Sequence, residues 1–206
     1  MPKISPFEKH SDAYDEWFEK NRDLYEAELE AIRQLLPPVG AEGLEIGVGS
    51  GKFAAPLGIK IGVEPSEKMA IKARKLGINV YRGIAEDLPF PAGTFDFVLM
   101  VTTICFVDDV AKSFREAFRV LKPDGCLVIG FVDREGKLGK VYAEKRGKSK
   151  FYQEATFFST QEILKYLEDT GFWPSRIKQT LIPGKSPKII LDNFGKGSFV
   201  VIRGEK

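Results

Sequence analysis

Between Leu44 and Phe53 the chain runs Leu-Glu-Ile-Gly-Val-Gly-Ser-Gly-Lys-Phe, a short apolar stretch closed by glycines at three alternate positions, Gly47, Gly49 and Gly51. Alternate glycines let a backbone turn sharply and approach a ligand closely, because no Cβ stands in the way. If the apolar stretch is a buried strand and a helix follows, the loop lies at the carboxyl end of that strand. Open α/β sheets bind nucleotide-like ligands there. A glycine-rich turn that merely joins two elements is the competing reading, so the rest of the chain has to decide.

The pattern downstream supplies the frame. Apolar runs at Ala41–Ile46, Lys60–Val63, Asn79–Gly83, Phe95–Val101 and Cys126–Phe131 read as five strands. Between them lie a short helix from Lys52, curtailed by Pro56 and Gly58, and longer helices from Ser66 to Leu76 and from Val110 to Leu121. Ser66 is placed to cap the first of these and Gly77 to end it. Phe95–Val101 is apolar almost throughout, as a central parallel strand is. Strand and helix alternating in this way predict an α/β fold, a parallel sheet with helices on both faces. Lys122-Pro123-Asp124-Gly125 is expected to turn, with Gly125 supplying the positive φ.

Before this core, residues 7–36 place Phe7, Tyr14, Trp17, Phe18, Leu24, Tyr25, Leu29, Ile32 and Leu36 at helical spacing, and Pro37 and Pro38 stop the pattern. Asn21 or Asp23 is a natural break into two helices, with Ser11 or Asp12 a possible cap within the first. Trp17 is expected to pack the arm onto the domain; Tyr14 can either pack or close over a ligand. After Val132 the composition shifts to glycine and lysine, with Lys137, Lys140, Lys145, Arg146, Lys148 and Lys150 against Glu135 and Glu144. Ser159-Thr160-Gln161-Glu162 is a capping box opening a helix to about Asp169. Arg176–Ile182 and Ser198–Arg203 read as two closing strands joined through the loop from Pro183 to Gly197, which makes seven strands. One domain over 1–206 is expected: an N-terminal helical arm (1–38), a ligand-binding core (39–133), a lid or substrate-binding insertion (134–158) and a closing helix with strands (159–206).

Composition bounds the function. Of 206 residues, 31 are basic and 29 acidic, so no global field points at nucleic acid or a membrane. The start, Met-Pro-Lys-Ile-Ser-Pro-Phe-Glu-Lys-His, has no signal-like apolar core, and no apolar run approaches membrane-spanning length, so a soluble, cytoplasmic protein is expected. Cys105 and Cys126 lie in apolar runs without metal-like spacing and read as buried thiols. His10 is the chain's single histidine, which leaves no histidine-based metal site, and no metal is expected.

Three strand ends carry the chemistry. The first bears the glycine loop, the second Glu64, and the third Ala85-Glu86-Asp87. A carboxylate at the second strand end can accept hydrogen bonds from both ribose hydroxyls; it can equally start a helix, since Pro65 and Ser66 follow. The loop spacing is G-x-G-x-G rather than the dinucleotide G-x-G-x-x-G, and Glu45 stands just before it. An acid so placed would repel a phosphate and suits a ligand bearing an ammonium group.

At this point the stretch from Leu44 to Val132 resembles the class I S-adenosylmethionine-dependent methyltransferases, in particular the group similar to the ubiquinone/menaquinone-biosynthesis enzymes. Four runs carry the resemblance: Leu44–Gly51; Gly62-Val63-Glu64-Pro65-Ser66-Glu67-Lys68-Met69; Ala85–Phe90 with Thr94–Val98; and Phe118–Gly125. The resemblance implies a three-layer Rossmann-like fold, a seven-stranded mostly parallel sheet with an antiparallel closing strand. It implies S-adenosylmethionine as cofactor, methyl transfer to a small-molecule acceptor by in-line displacement, and release of S-adenosylhomocysteine. Residue by residue, Gly47, Gly49 and Gly51 would line its methionine part and Glu45 orient its amino group through water. Glu64, with Pro65 beside it, would take the ribose, and Met69 would pack near the adenosine. Ala85 and Glu86 would flank adenine, and Val101 and Thr102 would face the sulfonium and the acceptor. The chain departs from the family where Ile84 replaces an acid before the Ala-Glu pair and where Cys105-Phe106 replaces a histidine pair.

Methyl transfer from a sulfonium needs no protonation of its leaving group, and proximity and orientation alone can supply about 7–11 kcal/mol of the barrier. A base is required only for a weakly acidic acceptor; Tyr14 and His10 are the candidates, with Tyr142 and Tyr152 behind them, each with a packing role as the alternative. The basic residues of 137–150 are either a solvated lid or a steering surface for an anionic acceptor. Two other functions stand as alternatives. A nucleic-acid methyltransferase is disfavoured by the charge balance and by Val101-Thr102-Thr103-Ile104, where an Asn/Asp-Pro-Pro-aromatic motif would stand. A non-catalytic S-adenosylmethionine-binding partner protein is the other.

Overall fold

The computed structural model describes residues 3–206. Its centre is an eight-stranded sheet in the order β3-β2-β1-β4-β5-β8-β6-β7. The parallel part comprises β1 (Gly43–Ile46), β2 (Ile61–Val63), β3 (Asn79–Tyr81), β4 (Phe95–Val101) and β5 (Leu121–Val132). Strand β8 (Phe199–Glu205) runs antiparallel to both β5 and β6 (Trp173–Thr180). The order reverses between β1 and β4, and the ends of those two strands open a crevice where such sheets bind ligands.

Alternation along the strands builds three layers. In β4, Val98 and Met100 pack with Phe114 and Ala117 of α5 (Val110–Val120) and Ile163 and Leu167 of α7 (Thr160–Asp169). Phe97, Leu99 and Val101 face the other way, into a cluster with Ile32 of α2 (Arg22–Arg33), Ala54 of α3 (Ala54–Leu57) and Ala73 of α4 (Glu67–Lys75). The period-two pattern thus produces two cores, one on each face of the sheet. Side-chain caps set the helix starts. Ser66 accepts from the Met69 amide, Asp109 from that of Lys112, and Ser159 and Glu162 form the expected capping box.

The structure departs from the sequence reading at three places. The sheet has eight strands rather than seven, because Leu191–Asp192 (β7) pairs with Lys178 and Gln179 inside the segment expected to be loop. Two residues are too few to leave an alternation signature. The stretch Lys122–Gly125, expected to turn, lies within β5, where the positive φ belongs to Asp124, at 63°; Gly125 is needed for space, since a Cβ there would stand 2.9 Å from the Lys122 carbonyl oxygen. The Lys- and Gly-rich segment contains a helix, α6 (Lys137–Glu144), and a 3-10 turn over Arg146–Lys148. The arm divides at Asn21, as the sequence allowed, into α1 (Ser5–Lys20) and α2, and α1 is itself kinked at His10, just before Ser11.

Candidate active site

Three glycines in the left-handed region shape the loop after β1, with φ of 68°, 54° and 85° at Gly47, Gly49 and Gly51. The amides of Gly47 and Val48 both donate to the Val63 carbonyl, at 2.8 and 3.1 Å, and that of Gly51 to the Val48 carbonyl. The Gly49 amide donates to Glu64 Oε2 at 2.9 Å. Four amides that could cradle a phosphate are therefore spent inside the protein, and the loop is no anion nest.

What the loop offers instead is room. A Cβ on Gly49 would reach only ordinary contact, 3.5 Å from Met69 Cε and 3.7 Å from the Tyr14 hydroxyl, so this glycine opens onto the space beneath α1. Gly51 differs: its Cβ would stand 2.7 Å from Ile78 Cδ1 and 3.3 Å from Ala73 Cα, so it lets the loop dock on α4 and is off the cavity wall.

The space is a cavity of about 170 Å³ between the carboxyl ends of β1, β2 and β4, the arm, and the segment around α6. Gly47, Gly49, Glu64, Pro65, Met69, Ala85, Glu86, Val101 and Thr102 all line it, so nine of the residues singled out as cofactor-binding share one wall. Tyr14, Tyr142 and Tyr152 line it as well. His10 does not; its ring stands edge-on to Phe151 at 6.3 Å, behind the wall. Lys145 and Arg146 are also outside it, and the segment contributes Leu138, Tyr142, Phe151 and Tyr152 instead. Trp17, expected only to pack, both packs on Phe18 and lines the cavity.

The carboxylates differ in how they are held. Glu64 accepts from the Gly49 amide on one oxygen and from the Ser66 amide on the other, each at 2.9 Å, so it holds both the glycine loop and the start of α4. Each oxygen keeps a further lone pair for a hydroxyl from the cavity. Burial outweighs those two donors and pushes Glu64 up to about 7. Glu86 accepts from the amides of Asp108 and Asp109, at 2.7 and 3.1 Å, and so ties the loop after β3 to the start of α5. Arg119 fixes the same loop by donating to the Leu88 and Phe90 carbonyls, which explains an arginine in that motif. Glu45 lies beneath the glycine loop, 1% exposed and off the cavity wall; its Oε2 has no partner among the described residues, and burial raises its carboxyl well above the usual range. Tyr14 is pushed up strongly, by burial first and then by the charges of Glu45 and Glu64.

Sequence reasoning missed Glu28, which lines the cavity from α2. The signal was present: position 28 lies three after Tyr25 and four before Ile32, on the apolar face of the helix.

Comparison with known proteins follows the geometry. A methyltransferase domain family matches residues 44–129. An uncharacterized protein of Methanocaldococcus jannaschii is 43% identical over 206 residues, covering 98% of this chain and 100% of that protein. A ubiquinone/menaquinone biosynthesis C-methyltransferase of Rickettsia bellii is 34% identical over 114 residues, 47% of this chain and 46% of that one. The crystal structure of a Thermotoga maritima SAM-dependent methyltransferase, described as a possible histamine N-methyltransferase, superposes with a TM-score of 0.94 at 48% identity, over 98% of this chain and 99% of that one. No helix among the described residues is long and apolar enough to cross a membrane. The chain belongs to the class I S-adenosylmethionine-dependent methyltransferases.

Proposed function

We propose that the protein transfers the methyl group of S-adenosylmethionine to a small-molecule acceptor bound in the same cavity, between the glycine loop and the aromatic residues around α6. The observation that carries this reading is the aromatic lining of the cavity on two sides. Tyr14, Trp17 and Phe18 of α1 cover the loop, and Tyr142, Phe151 and Tyr152 wall the far side, which suits a compact acceptor better than a polymer.

The residues fit the cofactor. Glu64 presents lone pairs where ribose hydroxyls need acceptors, and Gly49 leaves the volume that a side chain would fill. Pro65 and Met69 supply apolar wall for an adenosine, and Ala85 and Glu86 continue it. The unpartnered Oε2 of Glu45 beneath the loop is an acceptor that a ligand ammonium group, reached through water, would satisfy. When bound, S-adenosylmethionine supplies a methyl group on a sulfonium, whose departure as a neutral thioether needs no acid. The protein's own part is then to hold the acceptor in line and exclude water, a contribution of about 7–11 kcal/mol where orientation is good. Val101 and Thr102, at the end of β4, line the cavity; Thr102 has φ 50°, and its amide donates to the Gly130 carbonyl at 2.7 Å.

Calorimetry with S-adenosylmethionine and S-adenosylhomocysteine tests the cofactor half, and absence of binding by both would end the reading. Release of S-adenosylhomocysteine across a panel of small acceptors tests the rest; binding without turnover on any of them would instead favour a binding module.

A further inference from the structure

Three carboxylates stand on the cavity wall: Glu28, Glu64 and Glu86. The last two are engaged by pairs of backbone amides. Glu28 is 5% exposed, and its carboxylate has no hydrogen-bond or ion-pair partner among the described residues. It sits on the face of α2 that buries Ala27, Leu29, Ala31 and Ile32, where a carboxyl group adds nothing to packing. A buried acid without a partner is costly to a fold and calls for a partner that arrives from outside.

The surroundings define that partner. Tyr142 and Tyr152 stack with ring centroids 5.0 Å apart and planes 24° apart, and Tyr152 stacks in turn on Phe106. Tyr14, Tyr142 and Tyr152 line the same cavity as Glu28, and each feels its charge. Aromatic faces attract organic cations, and a buried carboxylate beside them supplies the counter-charge. Lys3, the one cation on the wall among the described residues, bears on Cys105 and leaves Glu28 alone. Glu64, pushed up to about 7, is partly ionised at neutral pH and adds negative potential that disfavours an anionic acceptor.

We propose that Glu28, with the rings of Tyr142 and Tyr152 beside it, is the binding site for a protonated amine on the methyl acceptor, and that the enzyme's substrates are small organic ammonium compounds. This rests on the methyl-transfer reading and adds the acceptor's chemical class and the residue that selects it. Burial places the Glu28 carboxyl at about 8 in the empty protein. At neutral pH an arriving ammonium group therefore displaces a proton from Glu28, leaving a carboxylate–ammonium pair.

The test uses the full chain loaded with S-adenosylhomocysteine. Benzylamine, phenylethylamine and hexylamine are titrated calorimetrically against the corresponding neutral alcohols, in buffers of different ionisation enthalpy. At least one amine should bind more tightly than its alcohol by about tenfold or more, equivalent to about 1.4 kcal/mol, with proton release at neutral pH. Glu28→Gln should abolish that preference while its affinity for S-adenosylhomocysteine shows the cofactor half intact. Amines and alcohols binding alike, no binding of any amine, or an amine preference that survives in Glu28→Gln would overturn the assignment. Those failures alongside tight S-adenosylhomocysteine binding sink only this proposal; loss of S-adenosylhomocysteine binding by the wild type sinks the methyl-transfer reading and this with it.

Discussion

Glu28→Gln should make the ligand-free protein more stable at alkaline pH and change it little at acid pH. Burial raises the Glu28 carboxyl from 4.5 to about 8. Between those values the folded chain keeps a proton that the unfolded chain has released, so stability falls as pH rises and the full cost is present above about pH 8. At 1.36 kcal/mol per unit, the shift sets an upper limit on the order of 5 kcal/mol, which water in the cavity reduces. Glutamine has nearly the shape of the neutral carboxyl group and does not titrate, so the variant escapes this cost. A gain of even about 2 kcal/mol raises Tm by about 4–8 °C in a chain of this size. Glu45 and Glu64 are also raised, but both proteins carry them and they cancel in the difference. Thermal unfolding of both proteins from about pH 5 to pH 9 should give curves that diverge upward with pH. Parallel curves, or a variant less stable at the alkaline end, would refute the claim that Glu28 is buried without a partner.

Gly49→Leu should lose S-adenosylhomocysteine binding in calorimetry with only modest destabilisation, about 1–2 kcal/mol for a side chain in the left-handed region, because its side chain enters the cavity. Gly51→Val should do the reverse and fail mainly in folding, since its Cβ meets Ile78 and Ala73; a well-folded Gly51→Val variant deficient only in cofactor binding would show the loop misassigned. Tyr14→Phe should leave the shape of the pH–rate profile between about pH 6 and 9 unchanged, because burial and the neighbouring carboxylates hold that hydroxyl protonated throughout; loss of an alkaline limb would make it a base.

Much of the fold was readable because parallel strands buried on both faces leave continuous apolar runs, as Phe95–Val101 does, and because Ser66, Gly77 and Ser159 punctuate the helices. What was not readable depends on partners distant in sequence. Strand β7 exists through its pairing with β6 alone, and the helical spacing of Leu138, Val141 and Tyr142 in α6 is masked by the glycines and lysines around it. That these residues share one cavity wall was legible because they sit at strand ends, where topology fixes their meeting. Gly51 was assigned to it by its place in a motif, yet the close approach of Ala73 and Ile78 decides what that glycine does. Glu28 was overlooked for the opposite reason. It stands between Glu26 and Glu30, and the three read as one solvated acidic face unless the helical spacing from Tyr25 to Ile32 is followed.

The arm that covers the cavity is fastened in an unusual currency. Of α1 only Phe18 is buried, while Glu8 accepts from the Ser66 hydroxyl, Asp15 from the Ser50 hydroxyl, and Lys72 reaches Asp12, Asp15 and the Ser11 carbonyl. Bonds of this kind exchange for water at little net cost. Only the part of α1 before Phe18 can loosen at so little cost, since Phe18 is seated in one of the two cores against Tyr25 and Phe53. Ionic strength then becomes a control on turnover that thermal stability, set by the sheet, does not share.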